Sequence, residues 1–365
     1  MHSLLAAEPI ERIAVFRALM LGDMLCAVPA LRAFRRAFPQ ATIDWIGLEP
    51  TRATAARLAH LIDGFIALPG YPGLPEVRHD PAALPGFLEH VRGRRFDLAL
   101  QLHGSGPVVN ELVCSFGARR SAGFFVDGAL VPARDAPLYR RWPARGHEIE
   151  RLLSLTDHLG LARDGLALEY PVHAEDRAAL AALRFERFVA DRPYVCVHAG
   201  SQLASRRWPA ERFAAVADAL AARGRQIVLT GSAGEAGLVR SVAASMRRPA
   251  LDLAGLTTPG MLGALLEGAE ALVCNDTSVS HIAAALRCPS VVVSAGADVA
   301  RWAPLDTTRH RVLWQAMPCR PCAHAECPIG HPCALAIEPA AVLRALEEVL
   351  AAAAPARRPA EEATA

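Results

Sequence analysis

"LVCNDTSVSHIAAALRCPSVVV" (272–293) places an apolar run, a polar tetrad, a helical stretch and a second apolar run in succession. "LVC" and "SVVV" are short, continuous apolar segments, as expected for parallel strands covered by helices on both faces. Asn275, Asp276, Thr277 and Ser278 stand where strand gives way to helix, and His281 lies in the first helical turn. The same strand–turn–helix rhythm runs upstream. "YVCVHAG" (194–200) leads to "PAERFAAVADALAARG" (209–224), with Pro209 near the helix start and Gly224 at its stop. "QIVLTG" (226–231) leads to "EAGLVRSVAASM" (235–246), and "ALDLAG" (250–255) to "TPGMLGALLEGA" (258–269). This pattern predicts a doubly wound α/β domain.

The N-terminal half repeats the rhythm less cleanly. "RIAVFRA" (12–18), "TIDWIGL" (42–48) and "FDLALQLHG" (96–104) read as strands. "CAVPALRAFRRAF" (26–38) reads as a helix broken near Pro29 and ended by Pro39, and the Pro- and Gly-rich stretch 68–86 as a long loop. A junction in the stretch 174–193 gives an N-terminal domain 1–180 and a C-terminal domain 181–354, whose last helix spans 339–354. The low-complexity tail 355–365 is expected to be disordered.

With 365 residues, 52% of them hydrophobic, the chain can bury two medium cores. Its net charge of +2 gives no argument for a nucleic-acid partner. The N-terminus lacks the basic-then-apolar pattern of a secretory signal, and no run approaches the roughly 20 apolar residues of a membrane span. A cytosolic protein is expected, touching a membrane at most from its surface.

Open α/β sheets bind ligands beyond the C-terminal ends of their strands, so a cleft between two such domains is the expected site. In "LMLGDMLCAVPAL" (19–31), Gly22 permits a tight turn before a helix. Asp23 there is either an N-cap or a carboxylate able to take a proton from a hydroxyl. In "HAGSQLASRRWPAERF" (198–213), Gly200, Ser201 and Gln202 can present donors. Arg206 and Arg207 add positive charge before a helix start, unless they are an ordinary surface pair. Glu235 in "TGSAGEAG" (230–237) suits a helix cap or a ribose. Ser278 can cap its helix, and His281 can simply be packed. Together with Thr277 and the backbone N–H groups of the helix start, His281 would also suit a diphosphate.

Taken together, "LGDMLCAVPALRAFRRAFPQATIDWIG", "QLHGSG", "GHEIERLLSLTDHLGL", "HAGSQLASRRWPAERFAAVADAL", "LTGSAGE" and "NDTSVSHIAAAL" resemble glycosyltransferase family 9, the ADP-heptose:lipopolysaccharide heptosyltransferases. The resemblance runs from about Arg12 to Glu348. It implies a GT-B architecture: two Rossmann-like doubly wound domains facing across a cleft, acceptor on the N-terminal one and nucleotide sugar on the C-terminal one. It implies inverting transfer of heptose from ADP-heptose to a lipopolysaccharide core, with no metal or cofactor needed for catalysis. Asp23 resembles the family's general base. Ser201, Gln202 and Arg206 match its donor-phosphate loop, with Arg where some members have Lys. Glu235 matches the ribose-binding acid. Asp276, Thr277, Ser278 and His281 match the block that holds diphosphate and sugar, Ser278 replacing a frequent Gly. His103, Arg32, Arg36 and Arg120 fall on the acceptor side. Arg32, Arg35 and Arg36 share one helix face, which is either ordinary solvated surface or a patch for an anionic glycolipid at the cytoplasmic face of the inner membrane. Two rival readings are a GT-B relative with another nucleotide sugar or epimerase chemistry, and a non-catalytic nucleotide- or metal-binding module.

Nine cysteines are present, and four of them cluster in "CRPCAHAECPIGHPC" (319–333). Cys319, Cys322, Cys327 and Cys333 would suit a structural zinc; the alternative is free or loosely paired thiols in a loop.

Overall fold

The computed structural model describes residues 4–5, 9–183 and 192–353. It divides into two units, Met1–Pro171 and Val172–Ala365. The first holds strands β1 (Arg12–Phe16), β2 (Thr42–Gly47), β3 (Gly64–Ala67), β4 (Leu98–Gln101), β5 (Arg120–Phe125) and β6 (Tyr139–Arg141). The second holds β7 (Tyr194–His198), β8 (Gln226–Thr230), β9 (Leu251–Asp252), β10 (Ala271–Asn275), β11 (Ser290–Val293) and β12 (His310–Leu313). The spatial orders are β3-β2-β1-β4-β5-β6 and β12-β11-β10-β7-β8-β9, all pairings parallel. Both are the Rossmann order, in which the chain leaves one central strand for one side of the sheet and returns for the other. The crevice at that reversal lies between β1 and β4 in the first unit and between β7 and β10 in the second.

The central strands carry the cores. In register, Val15 sits between Trp45 and Leu100, and Val197 between Leu229 and Val273. Phe16, Ala99, Leu112 and Phe116 belong to one cluster of the first unit. Trp208, Phe213, Val273 and Leu346 belong to the core of the second. Continuous apolar strands are what such two-sided burial requires.

Three expectations change. The first helix spans Leu21–Ala37, starting earlier than expected and running through Pro29. Its buried face, with Met24, Leu25, Val28, Leu31 and Phe34, keeps it continuous although Pro29 cannot donate. Gly22 and Asp23 therefore lie inside its first turn, and the N-cap is Met20, so Asp23 is not a cap. The division falls after Pro171 and not after 180. Helix Ala174–Ala182 packs on helix Pro259–Gly268 of the second unit, where Arg177 grips Glu267 through two bonds of 2.7 Å. The tail 355–365 lies outside the described residues. Among those described, no helix is long and apolar enough to cross a membrane.

Buried His310 on β12 bonds through Nδ1 to Ser290 Oγ at 2.8 Å, and burial pushes its pKa down from 6.5 to about 4. In the unfolded chain it protonates near its ordinary value, so acid favours unfolding across the window between the two. The stability tied to its neutral form is present above about pH 6.5 and lost as pH falls toward 4. His310→Gln should thus lose less stability than wild type between pH 7 and pH 4, by up to about 3 kcal/mol. Urea unfolding across that range checks it, with parallel pH slopes as the contrary result.

Candidate functional site

In the first unit the crevice is stitched by side chains at the ends of β1 and β4. Arg17, which directly follows β1, is fully enclosed. Its Nε donates to the Asp23 carbonyl at 2.8 Å, and its guanidinium also reaches the Leu102 carbonyl beyond β4. A third arm meets Glu148 Oε1 at 3.0 Å and comes within 3.5 Å of Asp23 Oδ1. Arg151 backs Glu148 at 3.8 Å. Asp23 is thus held at the first turn of a helix, its carboxylate still partly open to solvent.

His103, two residues beyond β4, accepts from the Ala18 N–H through Nδ1 at 3.1 Å, and its Nε2 lies 3.3 Å from Glu76 Oε1. Those two partners define the neutral Nε2–H tautomer. Burial would raise the Glu76 carboxyl, but the bond from His103 and a backbone bond bring it below the usual range. His103 is buried and ties the β1 loop to the β4 loop.

The cationic face expected on the first helix is mostly committed internally. Arg32 pairs with Glu169 and donates to the Asp164 carbonyl, and Arg35 reaches Asp63. Only Arg36 points largely to solvent, 3.9 Å from Asp164. Arg120 opens β5 and binds buried Asp135 at 2.6 Å. The exposed multi-arginine patch is therefore corrected to one arginine, because neighbouring carboxylates and carbonyls absorb the others.

In the second unit, three strand ends converge. Asn275, last residue of β10, is fully buried. It accepts from the Trp208 N–H at 2.9 Å and donates to the Ala199 carbonyl at 2.7 Å, fixing both ends of the loop after β7. Ser201 is buried in that loop and Gln202 is exposed. Arg207 holds the Ser201 carbonyl at 2.9 Å. Arg206 closes a short turn, donates to the Cys322 carbonyl at 3.4 Å, and keeps a buried Nε with no hydrogen-bond partner.

Glu235 is bound by the backbone N–H and hydroxyl of Ser232, each at 2.8 Å, and lies 4.0 Å from His198 Nε2. It leans on Gly200 so closely that a Cβ there would stand 2.1 Å from Oε1. Burial would raise the Glu235 carboxyl, but Ser232, His198 and Arg207 bring it below the usual range. His198 bonds to Thr230 Oγ1 at 3.0 Å, and burial pushes its pKa down against the pull of Glu235.

Thr277, not Ser278, is the N-cap of helix Ser278–Ala285, and its hydroxyl makes no capping bond. Asp276 precedes it and accepts from Ser294 Oγ at 3.3 Å. Burial raises the Asp276 carboxyl, opposed by His281, Arg206, Ser294 and Arg320. His281 is buried in the first turn, edge-on to Trp302 at 6.3 Å. The structure thus brings Ser201, Arg206, Glu235, Asp276, Thr277, Ser278 and His281 to the C-terminal ends of β7, β8 and β10. It adds His198, Asn275 and Arg320, and in the first unit Arg17. The sequence signal for three of these is shared: a polar side chain at, or just after, the end of an otherwise apolar strand.

The four thiols of 319–333 do not assemble into a ligand set. Among the described residues no group of His, Cys, Asp or Glu is arranged to hold a metal. Cys319 is exposed, while Cys333 is part of the apolar core.

The model of glycosyltransferase family 9 (heptosyltransferase) matches residues 87–332, and the chain belongs to that family of transferases. It is 25% identical over 293 residues to lipopolysaccharide heptosyltransferase 3 of Escherichia coli (strain K12), covering 78% of this chain and 82% of that one. The fold, of the GT-B type, is that of a family 9 glycosyltransferase structure from Veillonella parvula: TM-score 0.79, 20% identity, 95% and 99% of the two chains. It likewise matches E. coli ADP-heptose lipopolysaccharide heptosyltransferase II: TM-score 0.72, 20% identity, 94% and 99%.

Asn275→Ala would leave the Trp208 N–H and the Ala199 carbonyl buried and unpaired. It should destabilise the protein by about 3 kcal/mol, at roughly 1–3 kcal/mol per orphaned group, and speed amide exchange at Trp208. Chemical unfolding with hydrogen exchange reads both, and wild-type protection at Trp208 would contradict the clamp.

Proposed function

We propose that the protein transfers heptose from ADP-heptose to a lipopolysaccharide core acceptor, with inversion at the sugar's anomeric carbon. The observation that carries this reading is the buried, partnerless Nε of Arg206. A buried donor without a partner calls for an external acceptor, and a charged one calls for an anion. Around it stand His281 and a helix start, a setting for a diphosphate. Glu235, held ionised in hydrogen bonds at the next strand end, suits a ribose diol.

In this mechanism Asp23 accepts the proton of an acceptor hydroxyl as its oxygen bonds to the anomeric carbon. The bond from that carbon to the diphosphate breaks, and ADP leaves with the electron pair. Arg206, His281 and the helix N–H groups stabilise the charge that develops on the leaving oxygen. Arg17 holds Asp23 through the carbonyl and the carboxylate of the same residue, fixing its direction. Neither role calls on a metal. The nine cysteines, all free, fit a reducing compartment, and the cytoplasmic face of the inner membrane is where this acceptor would be met.

The direct test is incubation with ADP-heptose and heptose-deficient core, read by mass spectrometry. One added heptose and one ADP per turnover are expected. A rearranged nucleotide sugar without transfer would point to epimerase chemistry instead. Asp23→Asn should lower kcat by roughly 10² to 10⁴ while leaving ADP affinity unchanged, whereas near-wild-type turnover places the base elsewhere. Arg206→Ala should weaken ADP binding by about 1.5–3 kcal/mol in calorimetry, and an unchanged affinity would remove it from the phosphate site.

A further inference from the structure

The cysteine-rich segment makes a bridge. Arg320 sends one arm to the Ser294 carbonyl at 2.6 Å and another to the Ala297 carbonyl at 2.7 Å and to Ser294 Oγ at 3.2 Å. The Cys322 N–H donates to the Gly296 carbonyl at 2.7 Å. Gly296 has a φ of +92°, and a Cβ there would lie 3.2 Å from Cys322 Cβ, so glycine lets the two segments lie together. These contacts pin the segment to the loop after β11. Its other contacts pin it to the loop after β7. The Cys322 carbonyl accepts from Arg206, and the Ala325 carbonyl from the Ser205 N–H at 3.0 Å. The His324 carbonyl accepts from Ser205 Oγ at 2.5 Å, and His331 Nε2 meets the Ser205 carbonyl at 2.7 Å. β10 lies between β11 and β7 in the sheet, and Asp276 leaves its end. Ser294 Oγ joins the two sides by donating to Asp276 Oδ2 while lying within reach of Arg320.

We infer that residues 320–331 form a strap across the ends of β11, β10 and β7 whose working element is Arg320, a positioning residue for the donor phosphates. Arg320 sets Ser294 and, through it, Asp276, and it adds a second guanidinium to the surroundings of Asp276 beside Arg206. Asp276 lies among Arg206, Arg320 and His281, and Asp298 stands beside Arg320. The two guanidiniums suit an anionic ligand of diphosphate type. The segment's hold on the two loops runs through backbone groups, Arg320 and His331, and within it Cys327 Sγ accepts from the His331 N–H at 3.2 Å.

This inference rests on the donor-site reading above, and calorimetry with ADP on the full chain separates the two. Wild type that fails to bind ADP overturns the donor reading itself. With wild-type binding established, Arg320→Gln should weaken ADP by about tenfold and raise the donor KM by a like factor, leaving the acceptor KM unchanged. Arg320→Lys should recover only part of the loss, because one ammonium cannot reproduce the forked contacts. Cys319→Ser should bind ADP as wild type does. Equal ADP affinity and donor KM in wild type and Arg320→Gln, or an equal loss in Cys319→Ser, overturns the assignment to Arg320. Should Arg320→Gln not fold, Ser294→Ala carries the test: it deletes one hydroxyl between Arg320 and Asp276, and an unchanged donor KM there overturns the relay.

Discussion

A parallel sheet in this order has one place where two neighbouring strands send their chains to opposite sides. The loops there part, and their backbone polar groups must be paired by something other than the sheet. That requirement governs both units. In the second, Asn275 meets it at the loop's two ends, joining the Ala199 carbonyl to the Trp208 N–H. In the first, Arg17 and His103 share the task, linking the Asp23 carbonyl, the Leu102 carbonyl and the Ala18 N–H. Buried hydrogen bonds of this kind are costly to lose and directional. They give the crevice its shape, and the chemistry of the chain is hung on the loops they fix.

The two units use their crevices differently. Around β7, β8 and β10 the side chains converge as donors and cations against two acids, Asp276 and Glu235. Around β1 and β4 most charges are already matched, Arg17 with Glu148 and His103 with Glu76, and Asp23 is the group left partly open.

Much of this could be read from the chain. Strands β7, β8, β10 and β11 are unbroken apolar runs, and "SVVV" ends where the structure ends it. Strands β3, β6 and β12 were not legible: they are sheet edges, where partial exposure removes the apolar signature. β5 was hidden by Arg120 and Ser121, whose polarity is cancelled only by Asp135, a partner distant in sequence. The same blindness made Arg32 and Arg120 look available. Spacing shows which residues share a face but not which carboxylate arrives to meet them. The residues gathered at the ends of β7, β8 and β10 could be picked out because each sits at a strand end, where the topology opens a crevice. Asn275 stood in the quoted turn, yet nothing local reveals that its amide spans a loop from 199 to 208.

Gly200 carries a consequence for substitution. The space where its side chain would begin is occupied by the Glu235 carboxylate, itself fastened to Ser232. Any larger residue at 200 must displace that carboxylate, however mild the replacement looks by itself. Gly200, Ser232 and Glu235 thus form one packing unit, and a change at 200 is felt first at the Glu235 carboxylate.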